Sequence, residues 1–377
     1  MRAIQSFWTA DKGWDRSSGL PGEQPQLVLA FGASSIMANE ARWRELRERH
    51  PDAILLGCST GGEIHGRDVH DETLGTTALH FARTHIAAAE ADVTDMGGSF
   101  GAGQAIGAQL SRPDLAAIFV LSDGTRVNGS ELVRGLRTKI GADVVLTGGL
   151  AGDGARFGTT YVGLNSQPIP GKVAAVGFYG DAIQVGHGSC GGWDVFGPER
   201  RITRASANVL YELDERPALD LYKRYLGEDA EGLPGSALLF PLRIYPADKP
   251  EHAIVRTVVG VDNEARTMTF AGDMPEGYCA QLMRGNFDRL IQGAATAAES
   301  ANGPTGEERV AILVSCIGRK LLLGQRIREE VEVVQDVIGA DTHLTGFYSY
   351  GEVSPHAGTG CAELHNQTMT ITLLSET

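Results

Sequence analysis

Three stretches of the chain carry the same succession of apolar and polar positions. In each, an apolar run leads through a polar loop to a segment of helical period, then to a second apolar run and a glycine-rich loop. The first is "PQLVLAFGAS", helix "EARWRELRERH", strand "DAILLG" and loop "CSTGGEIHG". The second is "LAAIFVLSDG", helix "GSELVRGLRTKI", strand "GADVVLTG" and loop "GLAGDGARFG". The third is "RVAILVSCIG", helix "GQRIREEVEVVQDVI", strand "GADTHLTG" and loop "FYSYGEVSPHAG". In every copy an aspartate stands five residues before a glycine, as Asp52 and Gly57, Asp143 and Gly148, Asp341 and Gly346. An acidic residue then follows: Glu63, Asp153 and Glu352.

Period-two alternation fills much of the remainder. "KVAAVGFYGDAIQVGHGS" predicts two strands in a hairpin at Gly180-Asp181, and "AIVRTVVGVDNEARTMTFAGD" predicts another turning at Asp262-Asn263. "ETLGTTALHFARTHIAAAEADV" predicts a further pair, and "HNQTMTITLL" a closing strand. "PALDLYKRYLGEDAEGLPG" reads as a helix with a breaker, and "YCAQLMRGNFDRLIQGAATAAESANG" as one long helix ending at Gly303. The expected fold class is α/β, of the mixed α+β kind, with pseudo-repeated units, mixed sheets and covering helices. The acidic, glycine-bearing segment at residues 227–235 marks the expected boundary, giving a lead-in over 1–24 and domains over 25–226 and 227–377.

The first glycine loop contains Gly57-Cys58-Ser59-Thr60-Gly61, the G-x-S-x-G spacing of a hydrolase nucleophile elbow. Leu150 and Tyr348 occupy the place of Ser59 in the other copies, and no helix follows the serine. The common feature is a glycine framework, so no catalytic residue is assigned. Ligands of α/β sheets sit beyond the carboxyl ends of strands. The loops therefore predict one shared pocket drawing on Gly57, Ser59, Gly61, Gly62, Glu63, Gly148, Gly149, Gly152, Asp153, Tyr348, Tyr350, Gly351 and Glu352. Arg126 or Arg319 would hold a ligand carboxylate there. An enzyme using the same crevice would take its acid or base from Glu63, Asp123 or Glu352.

Two weaker patterns change little. Gly186-His187-Gly188-Ser189-Cys190-Gly191 spells G-x-G-x-x-G, but no helix follows to receive a pyrophosphate. His356, Cys361 and His365 suggest zinc without supplying a fourth ligand. The formal charge of −14 over 377 residues argues against nucleic acid as a partner. Five scattered cysteines and no C-x-x-C suit a reducing compartment. With no signal peptide and no long apolar run, the expectation is a cytoplasmic protein with no membrane partner, and a homo-oligomer is compatible with the sequence.

"GCSTGGEI", "LSDGTRVNGSELVRGL", "LTGGLAGDGARFG", "ITRASANVLYELDERPALDLYKRYLG" and "GFYSYGEVSPHAGTGCAELHNQTMTITLL" resemble the FIST N and FIST C sensory domains. The resemblance spans roughly residues 25 to 375 and implies an intracellular ligand sensor of signal transduction. A FIST protein without a kinase, cyclase or methyl-accepting segment resembles the nitric-oxide-sensing branch. That branch implies a haem held by a histidine and control of a separate histidine kinase. His187, beside glycines that would leave room for a macrocycle, is the first candidate axial ligand, with Arg200, Arg201 and Arg204 as propionate partners. His65 and His365 are the second choices. The alternatives are a non-haem sensor of an amino acid or similar metabolite, and an enzyme.

Overall fold

The computed structural model describes residues 1–15 and 24–377, so part of the expected lead-in lies outside the described residues. The first unit runs through β1 (Arg2–Thr9), β2 (Leu27–Gly32), α1 (Glu40–Arg49), β3 (Ile54–Ser59), β4 (Glu63–His65) and β5 (Leu74–His80). The second has β6 (His85–Asp92), α2 (Ser99–Leu110), β7 (Leu115–Ser122), α3 (Gly129–Arg137), β8 (Val145–Leu150), β9 (Val162–Leu164) and β10 (Lys172–Tyr179). The third has β11 (Ile183–Cys190), α4 (Phe287–Ala301), β12 (Arg309–Cys316), α5 (Ile327–Ile338), β13 (Thr342–Ser349), β14 (Gly351–Pro355) and β15 (Met369–Glu376). The mixed α/β class expected from the pattern is the one observed.

In each unit the strands on either side of the repeat helix are parallel neighbours: β2 with β3, β7 with β8, and β12 with β13. A later strand returns antiparallel beside the first, as β5, β10 and β15. The strand leaving each glycine loop joins a different unit's sheet: β4 pairs with β13, β9 with β3, and β14 with β8. Three sheets are thereby interlocked by cyclic exchange.

Two expected hairpins do not form, because the strands of each are divided between two sheets. β10 lies between β7 and β6, whereas β11 pairs with β15. Similarly, β5 lies between β2 and β1, away from β6. Alternation reports which side chains are buried, not which strand is the partner. The turn near Asp262 does close a hairpin, between Val258–Asp262 and Thr267–Phe270. The expected long helix is interrupted: Cys279–Arg284 is a strand, and α4 starts only where Asn286 Oδ1 accepts the Arg289 N–H at 3.2 Å.

The central strands are buried on both faces, which explains their unbroken apolar runs. Leu27, Leu29 and Phe31, Ala117, Phe119 and Leu121, and Val310, Ile312 and Val314 share one inner core. The intervening Ile118 and Val120, and Ala311 and Leu313, pack in a second core with α2 to α5, while Val28 and Ala30 meet Trp43 and Leu46 of α1. Between β11 and α4 the chain builds a further sheet and the helix Ala218–Leu226 around Ile202, Tyr222, Ile244, Met268 and Phe270. The expected boundary at 227–235 falls on 3-10 turns within this insertion, after which the third unit resumes.

The repeat glycines have a packing cause. A Cβ on Gly57 would stand 2.5 Å from the Ala30 carbonyl oxygen, and those on Gly148 and Gly346 would stand still closer to the Val120 and Leu313 oxygens. Asp52, Asp143 and Asp341 are exposed at the turns entering these strands.

Candidate functional site

The three glycine loops meet. Gly152 N–H donates to the Ser59 carbonyl at 2.9 Å, Tyr350 N–H to Leu150 at 3.1 Å, and Gly61 N–H to Tyr348 at 2.6 Å. The same two loop positions are used in each unit, so the hydrogen bonds close a three-membered ring.

Buried carboxylates pin this ring. Glu63 accepts the Thr60 hydroxyl and, through Oε2, the N–H and hydroxyl of Thr73 at 3.1 and 2.6 Å. Glu352 repeats the arrangement with the Ser349 hydroxyl at 2.7 Å and the N–H and hydroxyl of Thr368 at 3.1 and 2.9 Å. Thr73 and Thr368 immediately precede β5 and β15, so each carboxylate ties its loop to the returning strand. In the second unit Asp123 takes over, accepting the Gly171 N–H just before β10 at 2.7 Å. Asp123 Oδ1 also accepts from Thr125, Arg126 and Thr160, fixing the loop that enters α3. Burial pushes Glu63 and Glu352 up to about 7 against the lowering effect of those hydrogen bonds. All three acids named for an enzymatic alternative thus serve as structural pins.

Two cavities adjoin the ring and share Ile317. One, of about 400 Å³, lies between the repeat body and the insertion. It is lined by Arg126, Leu150, Phe157 and Tyr350 on one side and by Asn208, Leu238, Thr257 and Phe270 on the other. Arg126 is exposed and has no carboxylate within ion-pair distance among the described residues. Thr257 is only 3% exposed, and its Oγ1 has no hydrogen-bond partner. A buried unsatisfied hydroxyl of this kind costs roughly 1–3 kcal/mol. The other cavity, of about 500 Å³, is bordered by Gly61, Gly62, Glu63, Asp71, Arg156 and Lys320. Its cations are matched, Lys320 by Asp71, and Arg156 by Asp153 and Glu72.

The predicted site residues are therefore divided. Arg126 and Tyr350 border the first cavity, and Gly61, Gly62 and Glu63 the second. Gly57, Gly148, Gly149, Gly152 and Gly351 serve close packing, since a Cβ on any of them would crowd a neighbour. Tyr348 is buried with its hydroxyl 3.3 Å from Glu330. Asp153 is held by Arg156. Ser59 is fully buried, and its Oγ accepts the Tyr161 N–H at 2.9 Å, which gives the hydroxyl a structural use. Arg319 is enclosed too, donating to Glu330 at 2.9 Å and to the carbonyls of Gly191 and Leu290. Its donors are committed to joining α4 to α5 within the third unit. Thr257 and Phe157 escape detection in the sequence, because neither sits in a pattern distinct from an ordinary strand or loop.

The candidate haem ligands sit in three different surroundings. Gly186 and Gly188 leave no slot beside His187, because the Ala301 and Ala297 carbonyls of α4 occupy the places their Cβ atoms would need. A groove of about 380 Å³ borders His187. Arg200 is paired with Asp214 at 2.9 Å and with Tyr225, Arg204 faces Glu212 at 3.4 Å, and the Arg201 N–H donates to Asp214. The geometry at His187 does not fit a macrocycle seated between those glycines. His365 Nε2 lies 3.0 Å from the Ser354 carbonyl, and burial pushes this histidine down to about 4. His65 packs on Phe7 with ring centroids 4.9 Å apart, and its Nδ1 is buried without a partner. Neither borders either ring cavity. His356 uses both ring nitrogens, at Ala253 and Gly358, and no group of three metal-ligating side chains occurs among the described residues.

Family models for the FIST N domain and the FIST C domain match residues 26–216 and 218–355 respectively. The chain belongs to the FIST family. FIST domains are sensory domains of signal transduction that bind small ligands. The first cavity of this FIST protein is built from both matched segments. No curated protein matches the chain. Among solved structures, a cyanuric acid hydrolase from A. caulinodans aligns over 94% of this chain and 90% of its own at 8% identity and a TM-score of 0.36, a likeness too slight to carry an argument. No helix among the described residues is long and apolar enough to cross a membrane.

Proposed function

We propose that this FIST protein senses a small carboxylate-bearing metabolite bound in the cavity between the loop ring and the insertion. The observation that carries the reading is the pairing of an unmatched cation with an unsatisfied hydroxyl across one cavity, Arg126 on the repeat body and Thr257 on the insertion. The volume of about 400 Å³ is in the range of small-molecule sites. A ligand touching both walls favours one position of the insertion over others, which is how binding energy becomes a signal. The output passes to a separate signalling protein, a histidine kinase being the partner implied by the family resemblance. Calorimetric titration with small carboxylates tests the site: binding lost in Arg126→Gln supports it, and binding indifferent to that change refutes it. The liganded and free forms should then differ in their effect on the kinase's autophosphorylation.

A haem-based nitric oxide sensor is the second reading, favoured by the unpartnered Nδ1 of His65. A stoichiometric visible band on haem titration, lost in His65→Ala and kept in His187→Ala, would support it. Protein that stays colourless in that titration discards it.

A further inference from the structure

We infer that the ligand is an organic acid with an apolar body and no cationic group, so that α-amino acids are excluded. This rests on the cavity between ring and insertion being the ligand site. The two ring cavities differ in charge: the second carries both signs, with Arg156 and Lys320 beside its acids, and the first carries only a cation. Acidic side chains border the second, as Glu63, Asp71 and Glu72, whereas Arg126 is the single charged residue lining the first. Among the described residues that line the first there is no aspartate or glutamate.

The neighbouring carboxylates lie outside the lining: Asp92, which like the Arg126 guanidinium stands about 4 Å from the place of a Gly171 Cβ, accepts the Thr94 N–H through Oδ1 at 2.9 Å, and three others are committed too. Asp123 accepts five donors from Thr125, Arg126, Thr160 and Gly171. Asp273 accepts the Asn128 amide at 2.8 Å and faces Arg134 at 3.9 Å. Asp153 is taken by Arg156. An ammonium has three donors and no acceptor, so burying one here would leave its charge without a counter-charge while adding repulsion from Arg126.

The body of the ligand is set by Leu150, Phe157, Leu238, Phe270, Ile317 and Tyr350. Phe157 stacks on Tyr350 with centroids 4.7 Å apart and an interplanar angle of 22°, yet it is 40% exposed. The Tyr350 hydroxyl accepts the Phe157 N–H at 3.2 Å and holds its backbone at φ +50. An apolar ligand body laid against this ring buries the face that solvent now wets.

The experiment uses the full chain and three probes that share a phenylethyl body, 3-phenylpropionate, phenylalanine and phenethylamine, each titrated calorimetrically at neutral pH. The expected order is binding of 3-phenylpropionate, binding of phenylalanine weaker by about tenfold or more, and no binding of the amine, since an unmatched charge costs at least this much. Arg126→Gln should abolish binding of the acid, and Thr257→Val or Phe157→Ala should weaken it. Phenylalanine binding as tightly as the acid, and still dependent on Arg126, overturns the ligand class while leaving the site in place. Binding of the acid that is indifferent to both Arg126→Gln and Thr257→Val overturns the site and the class together. Failure of all three probes overturns the class, and binding of other carboxylates that Arg126→Gln removes would then show that the site survives.

Discussion

Replacing Glu352 by glutamine tests whether the buried carboxylates are pins whose charge the fold tolerates at a cost. Glu352 is wholly buried and is pushed up to about 7 from an ordinary 4.5 by burial, which outweighs its bonds to Ser349 and Thr368. Between those two pH values the folded chain holds a proton that the unfolded chain releases, so this group's contribution falls as pH rises and is fully lost above about 7. At about 1.4 kcal/mol per tenfold change in proton affinity, the interval amounts to about 3 kcal/mol. In Glu352→Gln the amide oxygen can still accept from Thr368 and the amide nitrogen can donate to the Ser349 hydroxyl, with no charge to bury. Urea unfolding of both proteins from pH 4 to 8.5 should show near equality at the acid end and the variant gaining by up to about 3 kcal/mol at the alkaline end. His365, pushed down to about 4, has the opposite dependence, but it is common to both proteins and cancels in the difference. A difference that stays flat with pH, or a variant weaker than the parent at pH 8, would refute the reasoning.

Ser59→Ala should lower stability by about 1–2 kcal/mol, because it removes the hydrogen bond of the half-buried Tyr161 N–H, while leaving carboxylate binding in place; thermal unfolding and titration check both halves. Gly148→Ala combines φ +142 with a Cβ closer to the Val120 carbonyl than real Cβ atoms come, so it should cost more than about 3 kcal/mol or prevent soluble expression. Arg319→Met leaves Glu330 buried and unpaired and should cost about 3–5 kcal/mol in urea unfolding, and adding Glu330→Gln should recover part of the loss.

The sequence by itself determined the local elements and their repetition. The three helices behind "EARWRELRERH", "GSELVRGLRTKI" and "QRIREEVEVVQDVI" lie where apolar spacing puts them, because a helix face is set by residues three and four apart. The glycines marked the loops because only a residue without Cβ fits against Ala30, Val120 and Leu313. The exchange of β4, β9 and β14 among sheets was not legible, since alternation is blind to which neighbour supplies the hydrogen bonds. Nor could sequence separate Arg126 from Arg319. Both follow a parallel strand by a few residues, but one meets solvent beside a cavity while the other is enclosed with Glu330. Thr257 became visible only through packing, because a hydroxyl lacking a partner is a property of everything around it. Its distance along the chain from Arg126 is bridged only where the insertion folds back over the ring, which no local pattern encodes.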